Sequence, residues 1–127
     1  MSNADTVLIL THTADHFVIE RVAEALEERG ARSVRFDTDL FPTEARLASR
    51  IGGGGETRAL RCGDVELDPS CVRAVWARKL WPSRLPDALE PRIREGCVRE
   101  SRAALLGWLS ALVGVRWVNR LRVGAAG

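Results

Sequence analysis

Two short clusters carry most of the chemistry this sequence can offer. Asp37-Thr38-Asp39-Leu40-Phe41-Pro42-Thr43-Glu44 sets two carboxylates after one apolar run, and Trp76-Ala77-Arg78-Lys79 sets two bases after another. Acids and bases at strand ends can hold a polar ligand between them, because ligands of open α/β sheets gather at the carboxyl ends of the strands. The alternative is internal: a structural ion pair plus a turn, with Phe41-Pro42 as an apolar plug. His12 is a further candidate, since an imidazole at a strand end can act as a general base; such a histidine is more often a surface loop residue. His12, Asp37, Asp39, Arg78 and Lys79 therefore form the candidate substrate- or partner-binding set. The two acids and two bases are expected to meet within a few ångströms at one sheet edge. A small enzyme built on His12 with Asp37 and Arg78 is one reading of that set.

Other chemistries find little support. A dinucleotide site wants glycines after the first strand so that backbone can approach a pyrophosphate. Here that loop is His12-Thr13-Ala14-Asp15-His16, with no glycine and with an acid where a phosphate would sit. Gly52 to Gly55 is followed by no Lys-Ser/Thr and joins two strands, so it is no P-loop. Cys62, Cys71 and Cys97 lack metal-ligand spacing, and His12 and His16 lie far from them. No serine sits in a GxSxG elbow, and no thiol has an evident activating partner. Cys97 reads as a small core residue.

The elements that must position these residues follow from periodicity. Thr6 to Thr11 reads as a strand buried on both faces. Thr13 or Asp15 then offers an N-cap oxygen. Val18, Val22, Ala25 and Leu26, widened by Ile19 and Ala23, predict a helix from Phe17 that Gly30 ends. Arg32 to Asp37 is a second strand, parallel to the first through a βαβ unit. Arg46 to Ile51, with Leu47, Ser49 and Ile51 on one face, and Thr57 to Cys62 predict an antiparallel hairpin across the glycines. Gly63-Asp64 turns into Val65 to Leu67, and Val72 to Arg78 is an interior strand. A long helix starts near Asp87 or Glu90 with Pro91 in its first turn. Its stripe is read as Leu89, Ile93, Cys97, Ala104, Trp108 and Leu112. Arg116 to Asn119 is a short last strand. Trp76 and Trp108 read as core, and Trp81 beside Pro82 as a loop residue.

Length and composition bound the answer. The chain has 127 residues, enough for one domain with one core. Charged residues make up 28% and hydrophobic ones 46%, which excludes a disordered chain. A net charge of +2 gives no footprint for nucleic acid. No apolar run approaches the roughly 18 residues that span a bilayer, and the N-terminus has no secretory pattern. Three cysteines in a chain of this size fit free thiols in a reducing cytoplasm. Lys79 is the only lysine against eighteen arginines, a bias that reads as codon usage.

The motifs VLILTHTADH, RFDTDLFPTE, AVWARK, REGCVRESRAALLGWL and RWVN, in this order and spacing, give the chain a family likeness from Thr6 to Asn119. It resembles the N-terminal pre-ATP-grasp domain of the microviridin-type graspetide synthetases, the ligases that crosslink ribosomally made peptides. The RFDTD-FP segment is the most specific part. One departure is Ala77-Arg78-Lys79, where the family commonly has an aromatic residue and two arginines; Lys79 would weaken a bidentate contact there.

The resemblance implies a Rossmann-like α/β fold: a mostly parallel central sheet, a β-hairpin extension and two main helices, with the domain over 6–119. Residues 1–5 are expected to be disordered, and 120–127 a tail or linker. It implies ATP-dependent ligation giving ester or amide crosslinks, with ATP and Mg²⁺ bound by an ATP-grasp core outside this segment. None of the family's nucleotide- or metal-binding positions can be carried onto these residues. The implied role is non-catalytic: docking of a precursor peptide and packing against an ATP-grasp domain, in cis or in trans. Leu105, Leu106, Leu109 and Val113 cannot all face one sheet, so they are the candidate interface with that domain or with a second copy. A stand-alone homodimeric module for a small ligand or a protein partner is the competing reading.

Overall fold

The structure is a computed structural model and describes residues 5–119. The expected disorder of residues 1–4 and the expected tail of 120–127 lie outside the described residues. Asp5 is tied in, its carbonyl accepting the Arg32 N–H at 3.0 Å.

In chain order the elements are β1 (Thr6–Thr11), α1 (Val18–Glu28), β2 (Arg32–Asp37), β3 (Ala45–Gly52), β4 (Gly55–Cys62), β5 (Val65–Leu67), β6 (Val72–Ala77), α2 (Pro91–Ser110) and β7 (Arg116–Val118). Strands β2-β1-β6-β7 form one sheet, with every pairing parallel. Strands β3-β4-β5 form a second, antiparallel sheet. The first sheet has the βαβ logic read from the sequence. Thr6 to Thr11 pairs with Arg32 to Asp37 residue for residue, so both strands deliver their ends to one edge. Gly30, at φ +80, takes the left-handed position that ends α1.

One continuous core joins both sheets to α2. It includes Leu8, Leu10, Val34 and Phe36 from the parallel sheet, Leu60 and Leu67 from the antiparallel one, and Leu105, Trp108 and Leu109 from the helix. Trp108 also donates its indole N–H to the Arg58 carbonyl at 2.9 Å. Phe41 is buried edge-on to Phe36, with centroids 6.0 Å apart, as the plug expected of Phe41-Pro42.

Three expectations are corrected by this packing. The inward stripe of α2 is Ser101, Leu105, Trp108 and Leu109, whereas Ile93 and Ala104 are exposed. The helix's C-terminal half packs on both sheets, while its N-terminal half meets the loop before it through Arg94, so the sheets rather than the longest apolar run set its rotation. The interface set dissolves for the same reason. Leu105 and Leu109 belong to the core and Leu106 is half-buried against it. Only Val113, past the helix end, is free at 91% exposure. A second sheet supplies the cover that a partner had been expected to give. The hairpin reaches beyond the core, so Ser49 and Ile51 of its expected inner face are exposed and only Leu47 packs inward.

In α1 the buried residue is Ile19, with Val22, Ala23 and Leu26 half-buried; Val18 and Ala25 are exposed. Neither Thr13 nor Asp15 caps this helix. Phe17 holds the N-cap position and makes no side-chain cap bond. The two oxygens expected there are engaged in the site described next.

Candidate functional site

Parallel pairing brings the ends of β2, β1 and β6 to one edge, and the loop His12 to Phe17 covers it. That loop is organised from below by Arg35 of β2. Its guanidinium donates to the His12 carbonyl at 2.9 Å, to the Asp15 carbonyl at 2.7 Å and to the Asp37 carboxylate at 2.9 Å. At the far end of the loop the Val18 N–H donates to the His16 carbonyl at 2.9 Å, closing a three-residue turn. Phe17 sits at its centre with φ 69 and ψ −68, a strained conformation for a bulky residue, and is 83% exposed.

Asp15 faces β6. It accepts two bonds from Arg78, at 2.7 and 3.2 Å, and one from the Thr11 hydroxyl. The Arg78 hydrogen bonds hold its carboxyl down to about 2, against an ordinary value of 3.8, and outweigh the opposing effect of burial. Arg78 also lies over Trp76, 5.3 Å from the ring centre. Asp39 is 2% exposed. Its carboxylate accepts the Thr13 N–H at 3.1 Å and the Thr13 hydroxyl at 2.6 Å, with Arg84 at 4.0 Å. Thr38 donates to the Thr11 carbonyl at 3.0 Å and accepts the Trp81 N–H at 2.8 Å. These bonds bind the loop after β6 to the end of β2.

His12 is buried, at 6% exposure, and not a surface loop residue. Its ring stacks on Trp81 with centroids 3.5 Å apart and planes 4° apart. Its Nδ1 accepts the Ala14 N–H at 3.2 Å, which leaves the neutral ring's proton on Nε2. His12, Asp15, Trp76, Arg78, Lys79 and Asn119 line an open cleft of ≈ 270 Å³.

All five candidate residues thus stand at or near one edge, but the expected acid–base meeting is replaced by other pairings. β2 and β6 flank β1, so the backbones at Asp37 and Arg78 stand two strand spacings, about 10 Å, apart across the sheet. Asp37 pairs with Arg35 and Arg78 with Asp15. Asp39 is satisfied mainly by Thr13, and Lys79 forms no ion pair among the described residues. Trp76 is half-buried and lines the cleft, while Trp108 is core. Sequence reasoning missed Arg35, Thr13, Asp15 and Trp81 as parts of this edge. The one available signal was Asp15, an acid in a loop that a phosphate-binding fold would leave uncharged.

The group implied by the ATP-grasp likeness, ATP with Mg²⁺, does not fit this edge. The loop presents a carboxylate that stays ionised to low pH, with no glycine for backbone approach. Among the described residues no group of three or more His, Cys, Asp or Glu could hold a metal ion. The cysteines are free, and burial pushes the Cys62 thiol up to about 11, helped by the nearby Asp37 charge, which disfavours the reactive thiolate at neutral pH. No helix among the described residues is long and apolar enough to cross a membrane.

Comparison with known proteins follows the same fold. The chain is similar to the macrocyclase MdnB from Microcystis aeruginosa MRC, with 42% identity and a TM-score of 0.80, over 89% of this chain and 37% of that one. It is similar to MdnC of the same organism, solved bound with precursor peptide MdnA, with 36% identity and a TM-score of 0.77, over 86% and 36%. A RiPP-associated ATP-grasp ligase from Chryseobacterium gregarium, in complex with ADP and a leader and core peptide, shares the fold. It has 24% identity and a TM-score of 0.78, over 92% and 35%. The chain therefore spans little more than a third of these ligases. No curated relative matches it. The family profile described as the MvdD pre-ATP grasp domain matches residues 6–123. With that match over nearly the whole sequence, the chain belongs to the MvdD pre-ATP-grasp domain family.

Proposed function

We propose that this chain is the non-catalytic N-terminal part of an ATP-dependent ligase that installs ester or amide crosslinks in a ribosomally made precursor peptide. Its role is to pack against an ATP-grasp core, in the same chain or a separate one, and to help dock the peptide. The observation that carries this reading is the 42% identity to a macrocyclase of which the chain spans 37%. In the resemblance, a peptide carboxylate is activated as an acyl phosphate with release of ADP. A hydroxyl or amine then displaces phosphate, so each crosslink removes one water from the peptide. Those steps belong to the ATP-grasp core. The present domain contributes a fixed polar edge, with His12, Arg78 and Lys79 turned toward the docking side and Asp37 and Asp39 holding the loops that shape it. A cytoplasmic location fits its three free thiols.

The test is a chimera in which this chain replaces the corresponding segment of an MdnB-type macrocyclase. The chimera should dehydrate a precursor peptide in the presence of ATP and Mg²⁺, read by mass spectrometry. A chimera that binds ADP normally yet leaves every precursor at its starting mass would overturn the reading.

A further inference from the structure

The geometry points to the cleft beside β6 as a carboxylate-binding subsite, with Lys79 as its cation and His12 and Asn119 as supporting donors. Arg78 has no charge to spare, because Asp15 takes it through two bonds. That pair is neutral as a unit and, among the described residues, leaves Lys79 as the uncompensated charge of the cleft. Lys79 is exposed, and its backbone is fixed to the sheet by an N–H bond to the Leu10 carbonyl at 3.3 Å. Lys79 and Asn119 come from the ends of adjacent parallel strands, β6 and β7, so their side chains start from one edge.

His12 supplies the third donor. Its Nδ1 is occupied by Ala14, and its Nε2 has no partner among the described residues. Among the described residues no buried side-chain nitrogen or oxygen lacks a partner, so Nε2 touches solvent, and His12 meets solvent where it lines the cleft. Stacking on Trp81 fixes the ring plane. One cation, two N–H donors and the indole wall of Trp76 suit a single negative charge on a small planar group. A dianionic phosphate fits less well: among the described residues it would meet one unpaired cation and no glycine nest. The ≈ 270 Å³ of the cleft has room for one acidic side chain or a chain terminus. Assigning the carboxylate to a precursor peptide deepens the ligase reading and rests on it; the subsite itself does not.

The experiment is an NMR titration of the ¹⁵N-labelled chain, following the Trp76 indole and the Lys79 and Asn119 signals. The probes are N-acetyl-glutamate N-methylamide, its glutamine analogue, N-acetyl-alanine and inorganic phosphate. The glutamate probe should shift these signals, and the glutamine analogue should not. A matching response to N-acetyl-alanine assigns a general carboxylate site, and a response to glutamate alone assigns a side-chain site. Lys79→Gln should weaken the glutamate probe roughly tenfold, the loss of one charge-assisted bond, and Lys79→Arg should restore most of it. Equal shifts with glutamine, tighter binding of phosphate, or a Lys79→Gln affinity within about twofold of the parent would overturn the subsite. Dehydration by the chimera is read separately. Carboxylate binding with no dehydration removes the ligase reading alone, and the reverse result removes the subsite alone.

Discussion

The carboxyl edge of the parallel sheet and the β3–β4 hairpin are held by opposite means. At the edge, side chains do the work. Arg35, Thr38, Asp15 and Asp39 link three segments remote in sequence through bonds of 2.6 to 3.2 Å. In the hairpin, the backbone ladder does it. Eight residue pairs run from Ala45–Cys62 to Gly52–Gly55, while near the tip Ser49 and Glu56 meet across the ladder and Ile51 is 87% exposed. The lesson concerns charge. Most ionic groups at the edge are consumed in holding a shape, and Lys79 stands out because it is not.

The largest test of this contrast lies within the hairpin. Leu60→Ala, at its buried base, should cost about 3 kcal/mol in urea unfolding followed by tryptophan fluorescence. Ile51→Ala, at the tip, should change stability by less than about 0.5 kcal/mol. Equal effects would mean that the tip is packed after all. Next in size is the edge. Asp39→Asn keeps the shape but replaces one acceptor oxygen with an NH₂ facing Thr13, and should cost about 2 kcal/mol in the same assay. A neutral result would show that the loop is held from elsewhere.

The smallest effect is a pH dependence. Because Asp15 is held down to about 2 in the folded chain, its contribution is complete above its ordinary value of 3.8 and is lost as pH falls through about 2. Arg78→Met should bring the carboxyl back toward its ordinary range. Above pH 4 it should cost less than about 1 kcal/mol, since the pair is partly screened by water. The gap between variant and parent should close between about pH 4 and 2. A gap that persisted at pH 2 would place Arg78's contribution in its packing on Trp76 rather than in the ion pair.

The strands were legible because β1 and β6 are apolar runs and β2, β3 and β4 alternate apolar with polar residues between turn-formers; β1 and β2 match their expected bounds. The glycine turn and Pro91 at the start of α2 were readable for the same local reason. The inward faces of the helices were less so. Ile93 and Ala104 satisfy helical spacing as well as Leu105 does, and only the position of the second sheet selects among them.

The sequence by itself determined the order and type of the elements, the parallel βαβ unit and the family, since these depend on local propensity and on motifs read in line. Tertiary structure decided which acid meets which base. Asp15 and Arg78 lie 63 residues apart, and Thr13 and Asp39 lie 26 apart. Such pairs depend on strand order and on loop closure in space. Nothing in the local chain distinguishes a carboxylate that will be neutralised by a neighbour from one left for a ligand.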